Sequence, residues 1–106
     1  MAYLFQCANN LEEIDMSDMD LSKVTTIYEM FMQCTSMGPS QLKKINMSNI
    51  KFNSLENMAY LCQNCYNLEE VDLSNWNVDI PDTISYGTTS LFQNDYNLKK
   101  VNLHNF

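Results

Sequence analysis

Hydrophobic and polar positions along this chain fall into one phrase, L-x-x-[IV]-x-[ML], used four times. The copies open at Leu11, Leu42, Leu68 and Leu98, and their apolar columns are Ile14, Ile45, Val71, Val101 and then Met16, Met47, Leu73, Leu103. Apolar residues at alternate positions over so short a span predict a strand with side chains pointing in and out by turns. A second block precedes each phrase: Tyr3-Leu4-Phe5, Glu29-Met30-Phe31, Tyr60-Leu61-Cys62 and Ser90-Leu91-Phe92. Within it Ile27, Met30, Phe31 and Cys34 follow helical spacing, and Thr26-x-x-Glu29 fits a capping box, which predicts one or two helical turns. Self-similarity at a period of about 20 to 50 residues marks a solenoid, whose units bury their apolar faces only by stacking. The expected fold is therefore an α/β repeat of about four turns, with a short parallel β-sheet on one face and short helical turns on the other. It forms one domain, 1–106, with repeats near 1–27, 28–57, 58–88 and 89–106.

The polar positions of the phrase carry a second regularity. Glu12, Glu13 and Asp15 are followed by Lys43, Lys44 and Asn46, then Glu69, Glu70 and Asp72, then Lys99, Lys100 and Asn102. Strands stacked in register lie about 4.8 Å apart, so each acidic pair would face a basic pair on its neighbour. A slip by one repeat would set Glu against Glu, so the alternation specifies register and makes the true unit a double repeat. The recurrence of Met1-Ala2-Tyr3-Leu4 as Met58-Ala59-Tyr60-Leu61 agrees with that unit. Two insertions break the period, one around 36–41 with Gly38 and Pro39, the other around 82–89 with Tyr86 and Gly87. Loops that interrupt a repeat lie on the surface and are free to carry specificity.

Composition narrows the partners. With 106 residues, 13 acidic side chains and 6 basic ones, the net charge is -7, which repels phosphate backbones and anionic lipid. Nucleic acid is a poor partner on that ground. No run of about 20 apolar residues offers a membrane span, and the sequence shows no signal-peptide pattern.

The phrases LEEVDLSNW (68–76) and LEEIDMSDM (11–19), with MFMQC (30–34) and LCQNC (61–65), resemble the BspA-like leucine-rich repeat surface proteins, of the Mycoplasma-lipoprotein type. Their units run L-x-x-[LI]-D-[LM]-S-N-[WF], then a [MF]-F-x-x-C block. The resemblance spans the chain, with two departures: Cys7 sits one place early, and Asp95 stands in the Cys column. It implies a leucine-rich-repeat-type solenoid, a cell-surface or extracellular location, and adhesion or host binding without catalysis.

Candidate chemistry is sparse. Cys62-x-x-Cys65 has the spacing of a zinc or redox pair, but both cysteines occupy inward columns of the repeat and read as core. Cys34 and Cys65 share a column on adjacent turns, where a reduced ladder fits better than a disulfide. His104 follows the last strand in the column of Ser17, Ser48 and Ser74 and reads as a turn residue. No cofactor or metal is expected. Tyr66 and Tyr96, each before a strand, and Tyr86 in the second insertion are the candidate binding anchors, together with Gly38, Pro39 and Gly87 of the insertions. The expected function is a non-enzymatic recognition or adhesion module for a protein or glycan. The alternative is a structural spacer or assembly subunit, part of a longer array, a surface layer or a virion, that contacts neighbours through its solenoid ends.

Overall fold

The computed structural model describes residues 1–33, 41–76, 91–92, 95 and 97–102. Each copy of the phrase forms a three-residue strand: β1 Glu13–Asp15, β2 Lys44–Asn46, β3 Glu70–Asp72 and β4 Lys100–Asn102. They make one parallel sheet in the order β1-β2-β3-β4. The pairing joins Glu13 to Lys44, Lys44 to Glu70 and Glu70 to Lys100, with Ile14, Ile45, Val71 and Val101 aligned between them. Central β-branched residues point inward, and Ile14, Ile45 and Val71 join Met16, Met47 and Leu73 in the core. Glu13, Lys44, Glu70 and Lys100 are exposed on the other face.

The strands stop after three residues for a local reason. At the ends of β1, β2 and β3 the last side chain takes the backbone two residues on: Ser17 N donates to Asp15 Oδ1 at 2.9 Å, Ser48 N to Asn46 Oδ1 at 3.0 Å and Ser74 N to Asp72 Oδ1 at 2.9 Å. These Asx turns bend the chain out of the sheet. The next residues, Asp18, Asn49 and Asn75, adopt positive φ of 63°, 58° and 58°, a region that Asn and Asp tolerate better than most. Their side chains then bond between copies, Asn75 Nδ2 to Asn49 Oδ1 and Asn49 Nδ2 to Asp18 Oδ1, both at 3.0 Å.

The second block departs from the expected helical turns: the described residues contain no helix. Tyr28 N bonds to Thr26 Oγ1, two residues back, where a capping box would hold the amide three residues on. Glu29, Tyr3 and Tyr60 have φ of 52°, 64° and 55°, which no right-handed helix accommodates. The block is a chain of tight turns, with Met30 N on Ile27 O and Met32 N on Glu29 O. The amides left free bond to the next copy: Glu29 N to Ala59 O, Phe31 N to Leu61 O and Gln33 N to Gln63 O. Parallel bridges at Asp20–Lys51 and Thr26–Asn57 tie the remaining sides of the copies together. Between the sheet and these turns, Phe31, Phe52, Met30, Leu42, Ile45, Met58 and Leu68 are fully enclosed. Phe5 stacks on Phe31 with ring centres 5.6 Å apart, and Trp76 packs on Phe52 at 4.8 Å while donating Nε1–H to Met47 O.

Candidate functional site

The outward face of the sheet gathers the charged residues that the sequence singled out. One row runs Glu13, Lys44, Glu70, Lys100; beside it runs Asp15, Asn46, Asp72, Asn102. Between the rows lies a shallow depression of about 210 Å³, lined by Lys44, Asn46, Glu70, Asp72, Lys100 and Asn102. A smaller one of about 90 Å³ continues it over β1, sharing Lys44 and Asn46. Glu12, Lys43, Glu69 and Lys99 extend the alternation one residue upstream. There Lys43 N bonds to Glu12 O, Glu69 N to Lys43 O and Lys99 N to Glu69 O.

Electrostatics on this face is mild and local. Lys99 Nζ reaches Glu69 Oε1 at 3.5 Å, the single ion pair within 4.0 Å among the described residues. An exposed pair of this kind contributes little, so the alternation acts through register more than through strength. Asp15 is held below its ordinary carboxylate range, chiefly by the Ser17 backbone N–H, then by the Ser17 hydroxyl, with Lys44 across the sheet adding to it and slight desolvation opposing. Strand-end acids and amides thus do the same turn-forming work, which is why Asp and Asn exchange freely in this row.

Of the predicted binding anchors, Tyr66 is half-buried beside the core residues Cys65 and Leu68. Tyr96, Tyr86, Gly87, Gly38 and Pro39 lie outside the described residues. The structure instead assembles three other tyrosines into an edge-to-face ladder: Tyr3 on Tyr28 and Tyr28 on Tyr60, both at 5.7 Å. Glu29, accepting the Tyr28 hydroxyl, raises that tyrosine's pKa. The repeated Met-Ala-Tyr-Leu was the sequence's signal for Tyr3 and Tyr60. Tyr28, one position out of column, gave none.

Cys62 and Cys65 are free, buried thiols. Burial pushes both pKa values up, and Cys65 Sγ donates to Phe31 O at 3.2 Å. Without a cation beside it such a thiol stays protonated at neutral pH and packs as a small apolar side chain. No three His, Cys, Asp or Glu residues converge as a metal site among the described residues. The adjacent Asp95 is half-buried, its Oδ1 accepting from Cys65 N at 2.9 Å while Oδ2 is enclosed without a partner. Cys7, out of column in the sequence, is disulfide-bonded, with its partner outside the described residues. The free Cys65 rules out the disulfide between Cys34 and Cys65. His104 and Cys34 themselves lie outside the described residues.

Four in-register copies of one phrase, spread over the whole length, are a family pattern, and it has a match. The family described as "Mycoplasma protein of unknown function, DUF285" fits residues 1–105. The chain belongs to this family. No curated protein and no solved structure matches it. Membership in DUF285 accounts for the repeat and leaves its working surface to be argued from the geometry.

Proposed function

We propose that this DUF285 chain is a non-enzymatic recognition module of the BspA-like surface class. In this reading it is a leucine-rich-repeat-type solenoid whose outward sheet face receives a protein or glycan outside the cell. One observation carries the proposal: the sheet face holds two parallel rows of polar groups, repeated from strand to strand and open along their length. The depression between the rows, about 210 Å³, is smaller than the roughly 300 Å³ at which small-molecule sites begin. It suits a ligand laid across several strands better than one enclosed in a cavity. Carboxylates and ammonium groups alternating at strand spacing offer acceptors and donors in turn, as a run of sugar hydroxyls or a polar peptide requires. Short strands pinned by Asx turns keep those groups in place before binding, which lowers the ordering cost of association. The Cys7 disulfide accords with an oxidising, extracellular setting.

The test is binding of labelled chain to a glycan array and to a panel of extracellular-matrix proteins. Wild-type chain is expected to bind a member of either set. Lys44→Gln with Lys100→Gln should reduce that binding at least tenfold while leaving the circular dichroism spectrum in place and the chain folded at the assay temperature. Undiminished binding by the double variant would move the site off the sheet face.

A further inference from the structure

The β1 end of the molecule exposes large apolar side chains that the repeat elsewhere buries. Leu4, Leu11 and Met19 are 53%, 39% and 43% exposed, whereas Met30, Leu42 and Ile50, their counterparts in the next copy, are 0%, 0% and 1% exposed. The side chains are of the same kind, and what differs is that, among the described residues, no further copy packs against the outer side of the first. At the opposite end Leu91, Phe92 and Leu98 are only partly covered, although they pack against the core. The backbone is open as well. Glu12 C=O and Met16 N–H are bonded to β2, so by alternation the N–H and C=O groups of Glu13 and Asp15 face outward from the sheet edge.

The molecule already contains a junction of the kind that would close both ends. At β2–β3 a Lys-Ile-Asn strand pairs with a Glu-Val-Asp strand: Lys44 with Glu70, Ile45 with Val71, Asn46 with Asp72. The edge strand β4 reads Lys-Val-Asn and the edge strand β1 reads Glu-Ile-Asp. We propose that β4 of one copy docks in parallel on β1 of a second copy, Lys100 against Glu13, Val101 against Ile14 and Asn102 against Asp15. The contact reproduces the β2–β3 junction with Ile and Val exchanged, and it carries the Glu–Lys alternation across the boundary without a like-charge step. A second β1 in place of β4 would set Glu13 beside Glu13, so the contact selects head-to-tail order. The side-chain amide ladder does not cross it, because Asp18 accepts from Asn49 and has no amide hydrogen to pass on. The contact therefore rests on strand pairing and on covering Leu4, Leu11 and Met19. Being heterologous, it leaves a fresh β1 end on every added copy. It is independent of what the sheet face binds.

Two experiments on the full chain test this. In sedimentation velocity across a concentration series, the mean mass should rise past the dimer without a closed stop, and Leu4→Lys with Met19→Lys should return the chain to monomer. In the second, chains carrying Asp15→Cys are mixed with chains carrying Asn102→Cys. In-register neighbours across the contact lie about 4.8 Å apart, within disulfide reach, whereas the same two positions within one chain are about 14 Å apart, three strand spacings. Mild oxidation should give the mixed dimer in at least tenfold excess over either like pair. A monomer at every concentration, or Asp15→Cys pairing chiefly with itself, would overturn the proposal. Should the Leu4/Met19 variant lose its fold, the cross-linking ratio decides alone.

Discussion

At the scale of single residues, the polarity repeated at the end of each phrase is turn chemistry. Asp15, Asn46 and Asp72 each hold the backbone of a following serine, and Asp18, Asn49 and Asn75 supply the left-handed step that follows. Asp95 is the exception. It stands in the column of Cys65, and burial raises its carboxyl from the ordinary 3.8 to about 8, against the lowering effect of the Cys65 N–H bond. The sign follows from linkage: the unfolded chain gives up this proton near pH 4 and the folded chain near pH 8. Stability contributed by the protonated form is thus complete below the unfolded value and is lost as pH rises towards 8. Asp15 and Asp20, held low by Ser17 and Ser22, act only below about pH 4 and in the opposite sense, so they stay out of the interval from pH 5 to 8 in which Asp95 acts. Urea midpoints should fall between those pH values, and Asp95→Asn, which keeps an oxygen for Cys65 N–H, should flatten the slope and be the more stable chain at pH 8. An unchanged slope in the variant would assign the dependence to other groups.

At the scale of elements, strands and register were legible in the sequence because both are set by side-chain alternation, which the phrase displays four times. The second block was not. Thr26-x-x-Glu29 has the spacing of a capping box, yet the same spacing serves a hydroxyl turn followed by a left-handed residue. What decides between them is the bond from Glu29 N to Ala59 O, a contact between copies that no local pattern announces. Cys7 was missed for a related reason, since its place one residue out of column hid its pairing. The turn reading has a sharp consequence at Glu29. In a helix interior Gly is about 1 kcal/mol worse than Ala, whereas at positive φ it is better by about 1 to 2 kcal/mol. Both substitutions lose the Gln6 Nε2 bond to Glu29 Oε2, so their difference isolates the backbone. Denaturation should find Glu29→Gly more stable than Glu29→Ala, and the reverse order would restore a helix here.

At the scale of the whole molecule, the chain is held together by repetition: each copy gives its strand, its turn amides and its apolar columns to the next. In the proposed solenoid stability is a sum of junctions, and the two ends and the sheet face are the proposed working surfaces. Recognition across the face and stacking through the ends both depend on one claim, that the strands lie in the order β1-β2-β3-β4 with charges alternating. Reversing charge strand by strand tests it by urea denaturation. Lys43→Glu with Lys44→Glu creates two like-charge junctions and should cost about 1 to 4 kcal/mol, from four exposed pairs at about 0.2 to 1 kcal/mol each. Adding Glu69→Lys and Glu70→Lys mends the β2–β3 junction but sets Lys against Lys at β3–β4, so stability should stay low. Inverting the pairs on all four strands, with Glu12, Glu13, Glu69 and Glu70 changed to Lys and Lys43, Lys44, Lys99 and Lys100 to Glu, should recover the wild-type midpoint. Recovery already at the second step, or none at the last, would contradict the stacking order on which the account stands.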